Sequence, residues 1–229
     1  MFDVLPRLHL LKNCSLKFED IDLFFVDCSN ADFHVEALVA AGVNHKKIYN
    51  DFSKFHVEAE YLIVPSLPGI TGNMPFWACE YLRDTFLKIQ GNKTGRKIYI
   101  SRERATHRKM INECDVIDLI EKAGFEIITP EKYTVNEQAS IFSAAEIVIA
   151  PHGAGLTNLV FCNPGTRVLE MFPPDYINVC YWALSNQMSL EYFYAVGTQS
   201  ETGSSGSVNK GDFYIDISVI ENGLRQIGL

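Results

Sequence analysis

Two hydrophobic rhythms alternate through the second half of the chain. Short apolar runs bounded by turn residues fall at 97–101, 125–129, 146–150, 167–172 and 190–196. Between them, apolar residues recur at helical spacing. The stretch 108–123 carries Ile111, Val116, Ile117, Leu119 and Ile120 and stops at Gly124, and further helices are expected at 136–145, after Gly155 through Phe161, and at 177–186. Brief apolar runs read as buried strands and three-to-four-residue recurrence reads as helix. Strands and helices alternating through short loops predict a doubly wound parallel sheet covered on both faces. A Ser/Gly/Thr/Asn-rich loop over 198–211 is followed by a last short strand and a closing helix in 213–229.

The first half is less regular. Residues 1–11 read as a helix with Pro6 in its first turn, where a missing N–H is tolerated. Strands are expected at 22–27 and 61–64, a helix at 33–41, and a long helix from Pro75 to about Ile89. A boundary near Gly91 divides the chain into a smaller α/β segment, 1–90, and a Rossmann-like segment, 91–229. About ninety residues is marginal for a free-standing domain, and this segment starts inside a helix with no strand before it.

Composition narrows the classes. With 47% hydrophobic and 21% charged residues in a chain of 229, disorder is excluded. A net charge of −8 argues against nucleic acid as partner. No apolar run approaches the roughly 18–20 residues of a membrane span, and the first residues do not resemble a signal peptide. The six cysteines stand singly without CxxC pairing, which argues against zinc and for buried thiols in a reducing, cytoplasmic setting. The sequon matches at Asn13 and Asn92 read as chance in that setting.

Charge is unevenly placed. Between Arg96 and Lys109 six basic residues face one acid, a local +5 in an acidic chain. They crowd a strand C-terminus and the helix start after it, where the helix dipole disfavours cations. An anionic ligand relieves that conflict. Ser101 and Arg102 adjoin the strand, and Arg104, Arg108 and Asn112 would share one face of a helix extended that far back.

A second constellation is Pro151-His152-Gly153-Ala154-Gly155-Leu156-Thr157-Asn158. It follows a buried strand and opens a helix, the place where such sheets take ligands. The glycines allow close backbone approach, the helix start favours a diphosphate, and His152 and Thr157 add donors. It is neither a P-loop nor GxGxxG, which disfavours a nicotinamide dehydrogenase. Glu170, near a strand end, suits a ribose diol or a structural ion pair. Weaker candidates are the DxD pair Asp20/Asp22, the 68–73 turn with Trp77 as an acceptor-facing loop, and His34, His45 and His56, which have no metal-ligand spacing.

Taken together, Ser101-Arg102, Arg108, Asn112-Glu113, the His152–Asn158 stretch, Pro164-Gly165-Thr166 and Glu170 resemble glycosyltransferase family 61, whose bacterial members include capsular polysaccharide biosynthesis proteins. The Phe2-Asp3-Val4-Leu5-Pro6 segment, Ile63–Ser66 and Trp77-Ala78 resemble the family's N-terminal half. The resemblance implies a GT-B-like fold, an inverting mechanism, no metal or other cofactor, and a nucleotide-sugar donor, UDP-linked, held by the C-terminal segment. Family members usually carry a substantial region before the Phe-Asp-x-Leu-Pro segment, so the N-terminal domain here is expected to be incomplete.

The sequence thus predicts a hexosyl- or pentosyltransferase passing sugar to a glycan in capsular or cell-surface polysaccharide synthesis, with peripheral contact to assembly machinery. The alternative is a non-catalytic nucleotide-sugar-binding module. Gly153, Ala154, Gly155, Leu156, Thr157 and Asn158 with Ser101, Arg102 and Arg108 would hold the diphosphate, and Glu170 the ribose. An inverting enzyme needs a general base. Asp3 is the first candidate and His152 the second.

Overall fold

The computed structural model describes residues 1–14, 16–27, 32–50, 56–70, 72–87, 94–105, 107–199 and 211–229. The expected boundary near Gly91, Cys28, Thr71, Thr106, the sequon residue Asn92 and positions 200–210 of the polar loop lie outside the described residues.

In chain order the elements are α1 (Leu5–Asn13), β1 (Phe24–Phe25), α2 (Asp32–Ala40), β2 (Ile48–Tyr49), α3 (Phe76–Phe86), β3 (Arg96–Ile100), α4 (Glu113–Lys122), β4 (Glu126–Ile128), α5 (Val135–Ala144), β5 (Ala145–Pro151), a 3-10 helix (Ala154–Phe161), β6 (Arg167–Phe172), α6 (Cys180–Gln187), β7 (Glu191–Val196), β8 (Thr198–Gln199), β9 (Phe213–Tyr214) and α7 (Ile217–Gln226). Strands β3 to β7 form one parallel sheet in the order β4-β3-β5-β6-β7. The chain steps from β3 outward to β4, then returns across β3 to lay β5 on its other side. The winding therefore reverses between β3 and β5. The C-terminal ends of these two strands border the crevice in which open α/β sheets take their ligands.

Alternate strand residues serve opposite faces. Tyr99, Ile147, Ile149, Leu169 and Met171 pack with Val116 and Ile120 of α4 and Ile220 and Leu224 of α7. Ile98, Ile100, Val148, Ala150 and Val168 pack with Leu82 and Phe86 of α3, Phe142 of α5 and Leu184 of α6. Leu5, Leu8 and Leu11 of α1 and Leu38 of α2 join this second cluster. Burial on both faces is why the sheet strands read as continuous apolar runs rather than alternating ones.

Three local expectations differ. Residues 108–112 are not helical: α4 starts at Glu113, and Arg108 has a left-handed φ of 56°. The segment pairs instead with residues 211–215, through Lys109 N–H to Asp212 Oδ1 (2.8 Å), Phe213 N–H to Lys109 O (2.9 Å) and a two-way bridge between the Asn112 amide and Ile215 backbone. Arg104, Arg108 and Asn112 therefore share no helical face. Residues 61–64 form no strand: Tyr61 and Leu62 are 81% and 77% exposed, and no strand pairs with them among the described residues. Finally, Cys14 and Cys114 are exposed rather than buried.

Candidate functional site

The crevice between β3 and β5 brings the two charged and glycine-rich segments together. Ser101 ends β3: its N–H donates to Ile128 O (2.9 Å), and its hydroxyl accepts from Glu103 N–H (3.1 Å). This turn aims Arg102 across the crevice. Glu113, at the start of α4, fixes the turn by accepting from Arg102 N–H and the Tyr99 hydroxyl, both at 3.0 Å.

The Arg102 guanidinium lies directly over Gly153. A Cβ at Gly153 would fall 1.7 Å from Nη1 and 2.7 Å from Cζ. Gly153 has φ 175° and ψ 172°, an extended conformation open to any residue. Its glycine is thus required by the arginine above it, not by backbone torsion, and it lies beneath Arg102 rather than free for close approach by a ligand.

Arg102 is a half-buried cation with little to balance it. Nη2 donates to His107 O (2.9 Å), but Nε has no partner and the side chain forms no ion pair among the described residues. Burial, and then the neighbouring Arg108 charge, hold its pKa below the usual arginine value. Arg108 is also half-buried, 4.4 Å from the centroid of the Tyr176 ring. Two close arginines, neither ion-paired to a carboxylate among the described residues, are suited to a multiply charged anion.

His152 follows β5 and Glu170 lies in β6. Since Ala150 pairs with Glu170, residues 148, 150 and 152 stand on the same face as 168 and 170. His152 Nδ1 lies 2.5 Å from Glu170 Oε1, and the Tyr192 hydroxyl donates to Glu170 Oε2 at 2.5 Å. An ionised Glu170 can only accept, and with it the shared proton belongs to Nδ1. Glu170 is 0% exposed and His152 5%. With both oxygens engaged inside the protein, Glu170 stands behind His152 and offers no surface to a ribose, so that expected role is corrected. Burial, followed by the Glu170 charge, pushes the Tyr192 pKa far above the ordinary phenol value, keeping it a donor. Phe172, Tyr176 and Tyr181 surround the imidazole with centroids at 5.1, 5.4 and 5.4 Å.

Within the 3-10 helix, most side chains are structural. Leu156 is in the core. Asn158 donates to Gln138 Oε1 (2.7 Å) and Gly155 O (3.2 Å). A Cβ on Gly155 would meet Ile100 Cγ2 at 3.0 Å and Pro130 Cγ at 3.4 Å, so this glycine lets the helix seat against β3. Gly155→Val should destabilise the fold by roughly 1–3 kcal/mol through overpacking. Its melting midpoint should fall by about 2–12 °C in a calorimetric scan at this chain length. Ala154 is exposed and Thr157 half-buried, its hydroxyl 3.4 Å from the Tyr181 hydroxyl. Arg83 of α3 caps the far end by donating to Val160 O (2.8 Å) and Cys162 O (2.7 Å).

Thr157 and Tyr181 face a cavity of about 280 Å³, also lined by Asp3, the turn residues Pro68–Ile70 and Gly72–Met74, Asn178 and Cys180. Asp3 and the 68–73 turn, about seventy residues apart in the chain, thus share one cavity with Thr157 of the 3-10 helix. Arg7 of α1 is tied to the segment just before this turn, its Nε donating to Pro65 O (3.0 Å) and Ser66 O (3.3 Å). Trp77 stacks on His9 (5.6 Å) outside this cavity. Asp20 and Asp22 are exposed and not part of the cavity lining, in a segment held by Lys47 Nζ on Glu19 O and Ile21 O, both at 2.7 Å. Tyr181 and Tyr192 escaped the sequence reading because an aromatic in a helix or strand reads as core, and Tyr176 because it lies in the connection between β6 and α6. Tyr192 shares a face with Glu170 across β6 and β7, a relation that only the strand register reveals.

Comparison with known proteins bears on what this arrangement serves. The model of the Glycosyltransferase 61 family matches residues 1–169. Among curated proteins the chain is 29% identical over 138 residues to the beta-1,2-xylosyltransferase RCN11 of Oryza sativa subsp. japonica, covering 53% of this chain and 26% of that one. It is 25% identical over 115 residues to the alpha-1,3-arabinosyltransferase XAT2 of the same rice, covering 47% and 19%. The chain thus spans about a quarter or less of the length of these relatives. They are plant pentosyltransferases, where the sequence had suggested the bacterial capsular branch. The family match takes in Arg102, the 151–158 turn and the whole N-terminal half, and the chain belongs to glycosyltransferase family 61.

Proposed function

We propose that the chain carries the donor site of an inverting, metal-independent glycosyltransferase of GT-B type, which takes a UDP-linked sugar and passes it to a glycan acceptor. The observation that carries this reading is Arg102: a half-buried guanidinium with an unpartnered Nε and no ion pair among the described residues, set at the reversal of the sheet beside Arg108. A diphosphate supplies the missing charge. As the glycosidic bond to the phosphate breaks, negative charge grows on the leaving oxygen, and fixed guanidinium donors bind that state more tightly than the ground state.

In this reading residues 91–229 hold the donor and residues 1–90 face the acceptor. The cavity between Asp3, Asn73, Asn178 and Thr157 takes a sugar, since two amides and a hydroxyl supply neutral hydrogen-bonding groups beside the Asp3 carboxylate. Asp3 accepts the acceptor proton as its oxygen attacks the anomeric carbon. The xylosyl- and arabinosyltransferase names of the relatives favour a pentose over a hexose.

Release of free UDP from UDP-xylose or UDP-arabinose in the presence of oligosaccharide acceptors tests the proposal. Binding of UDP without release would favour a binding module, and neither would refute the reading. Because arginines provide the countercharge, EDTA should leave UDP affinity within about twofold, under 0.5 kcal/mol. A tenfold loss restored by Mn²⁺ would return the Asp20/Asp22 pair to consideration.

A further inference from the structure

Glu170 is left without a role in donor binding, yet a carboxylate removed from water is expensive unless fully bonded. Here it is bonded on both oxygens, by His152 Nδ1–H and the Tyr192 hydroxyl. His152 neighbours a contact of each arginine: Arg102 lies over the adjoining Gly153, and Arg108 lies over Tyr176, whose ring centroid is 5.4 Å from that of the imidazole. Its second nitrogen, Nε2, has no hydrogen-bond partner among the described residues. A ring locked at one nitrogen and unpartnered at the other, at the edge of an anion site, is placed to bond the anion.

We propose that Glu170 is a positioning residue that holds the His152 imidazole protonated at both nitrogens, so that Nε2–H donates to the departing diphosphate. The inference rests on the diphosphate reading above. In the transfer step the acceptor oxygen bonds to the anomeric carbon while its proton passes to the base. The bond from that carbon to the phosphate oxygen breaks, and the electron pair stays on the oxygen. Nε2–H strengthens its bond to this oxygen and keeps its proton. Two arginines and an imidazolium repel one another, and Glu170 is the fully buried carboxylate that offsets the imidazolium.

The pH behaviour is distinctive because the other groups facing His152 are silent near neutrality. Burial and hydrogen bonding push Tyr192 upward from β7, and burial pushes Tyr181 to about 12 and Cys180 to about 11 from α6. Arg102 and Arg108 remain charged. Tyr176 alone moves down, through bonds from Asn178 and Arg108.

UDP binding is measured by calorimetry from pH 6.5 to 9, above the second phosphate ionisation near about 6. Wild-type affinity should fall as pH rises. Glu170→Gln, of the same shape without the charge, should bind UDP about tenfold more weakly at pH 7.5 and move the fall to lower pH. Tyr192→Phe should act in the same direction and less. Glu170→Asp should recover part of the loss, and Tyr176→Phe should retain the pH dependence. If Glu170→Gln fails to fold, imidazole ¹⁵N shifts of the UDP-bound wild type decide: both nitrogens protonated at pH 7.5 is expected, and a neutral ring overturns the proposal. A folded Glu170→Gln protein with wild-type affinity and pH profile also overturns it, as does loss of the pH dependence in Tyr176→Phe. Failure of the wild type to bind UDP at any pH would instead overturn the diphosphate reading itself.

Discussion

Arg102→Ala should weaken UDP binding about 10–150-fold, or 1.5–3 kcal/mol, the scale of a charge-assisted hydrogen bond at a partly buried site. The apo protein should lose little stability, because the guanidinium it gives up is a desolvated cation without an ion pair among the described residues. What it forfeits is the bond from Nη2 to His107 O. Calorimetric titration with UDP and a thermal scan of the same sample separate the two effects. Weak binding with a near-native melt locates Arg102 in the site. Equal affinity with an unchanged melt would remove it. Arg102→Lys should recover only part of the loss, because a lysine places one compact charge where the guanidinium offers a planar fork.

Glu170→Ala should cost about 3–5 kcal/mol of folding stability, the range for breaking a buried ion pair by removing one partner. Three penalties coincide. The His152 Nδ1–H and the Tyr192 hydroxyl lose their acceptor, and a cavity opens at a position with no exposure. Glu170→Gln retains the volume and one acceptor oxygen, so its cost should be much smaller. Chemical denaturation of the two variants beside wild type measures both. If alanine and glutamine cost the same, the volume and acceptor oxygen that glutamine retains contribute nothing to stability, and this account of the site fails.

The sheet was legible because its strands are buried on both faces. Continuous runs such as Ile147–Ala150 can be recognised without knowing their neighbours. Strand order was not legible, and the site depends on it. Arg102 and Gly153 lie about fifty residues apart, and only the adjacency of β3 and β5 lays the guanidinium over the glycine. The arginine cluster and the glycine turn were each found by their chemistry, while their contact required the topology. Glu170 shows the opposite failure. A carboxylate near a strand end fits a ribose equally well as a histidine, and the choice follows from whether its oxygens face the crevice or the interior. Around Arg108, apolar spacing predicted helix, but pairing of 109–112 with 211–215 won over that local preference. Residues 61–64 carry strand-like side chains, yet a strand needs a partner, and none lies beside them among the described residues.

The most direct test of the central claim is a crystal structure of the chain grown with UDP at saturating concentration. The account predicts the diphosphate at the C-terminal ends of β3 and β5, with its oxygens within hydrogen-bond distance of the Arg102 guanidinium and of His152 Nε2. A diphosphate bound elsewhere on the molecule, or an empty crevice at saturation, would contradict it.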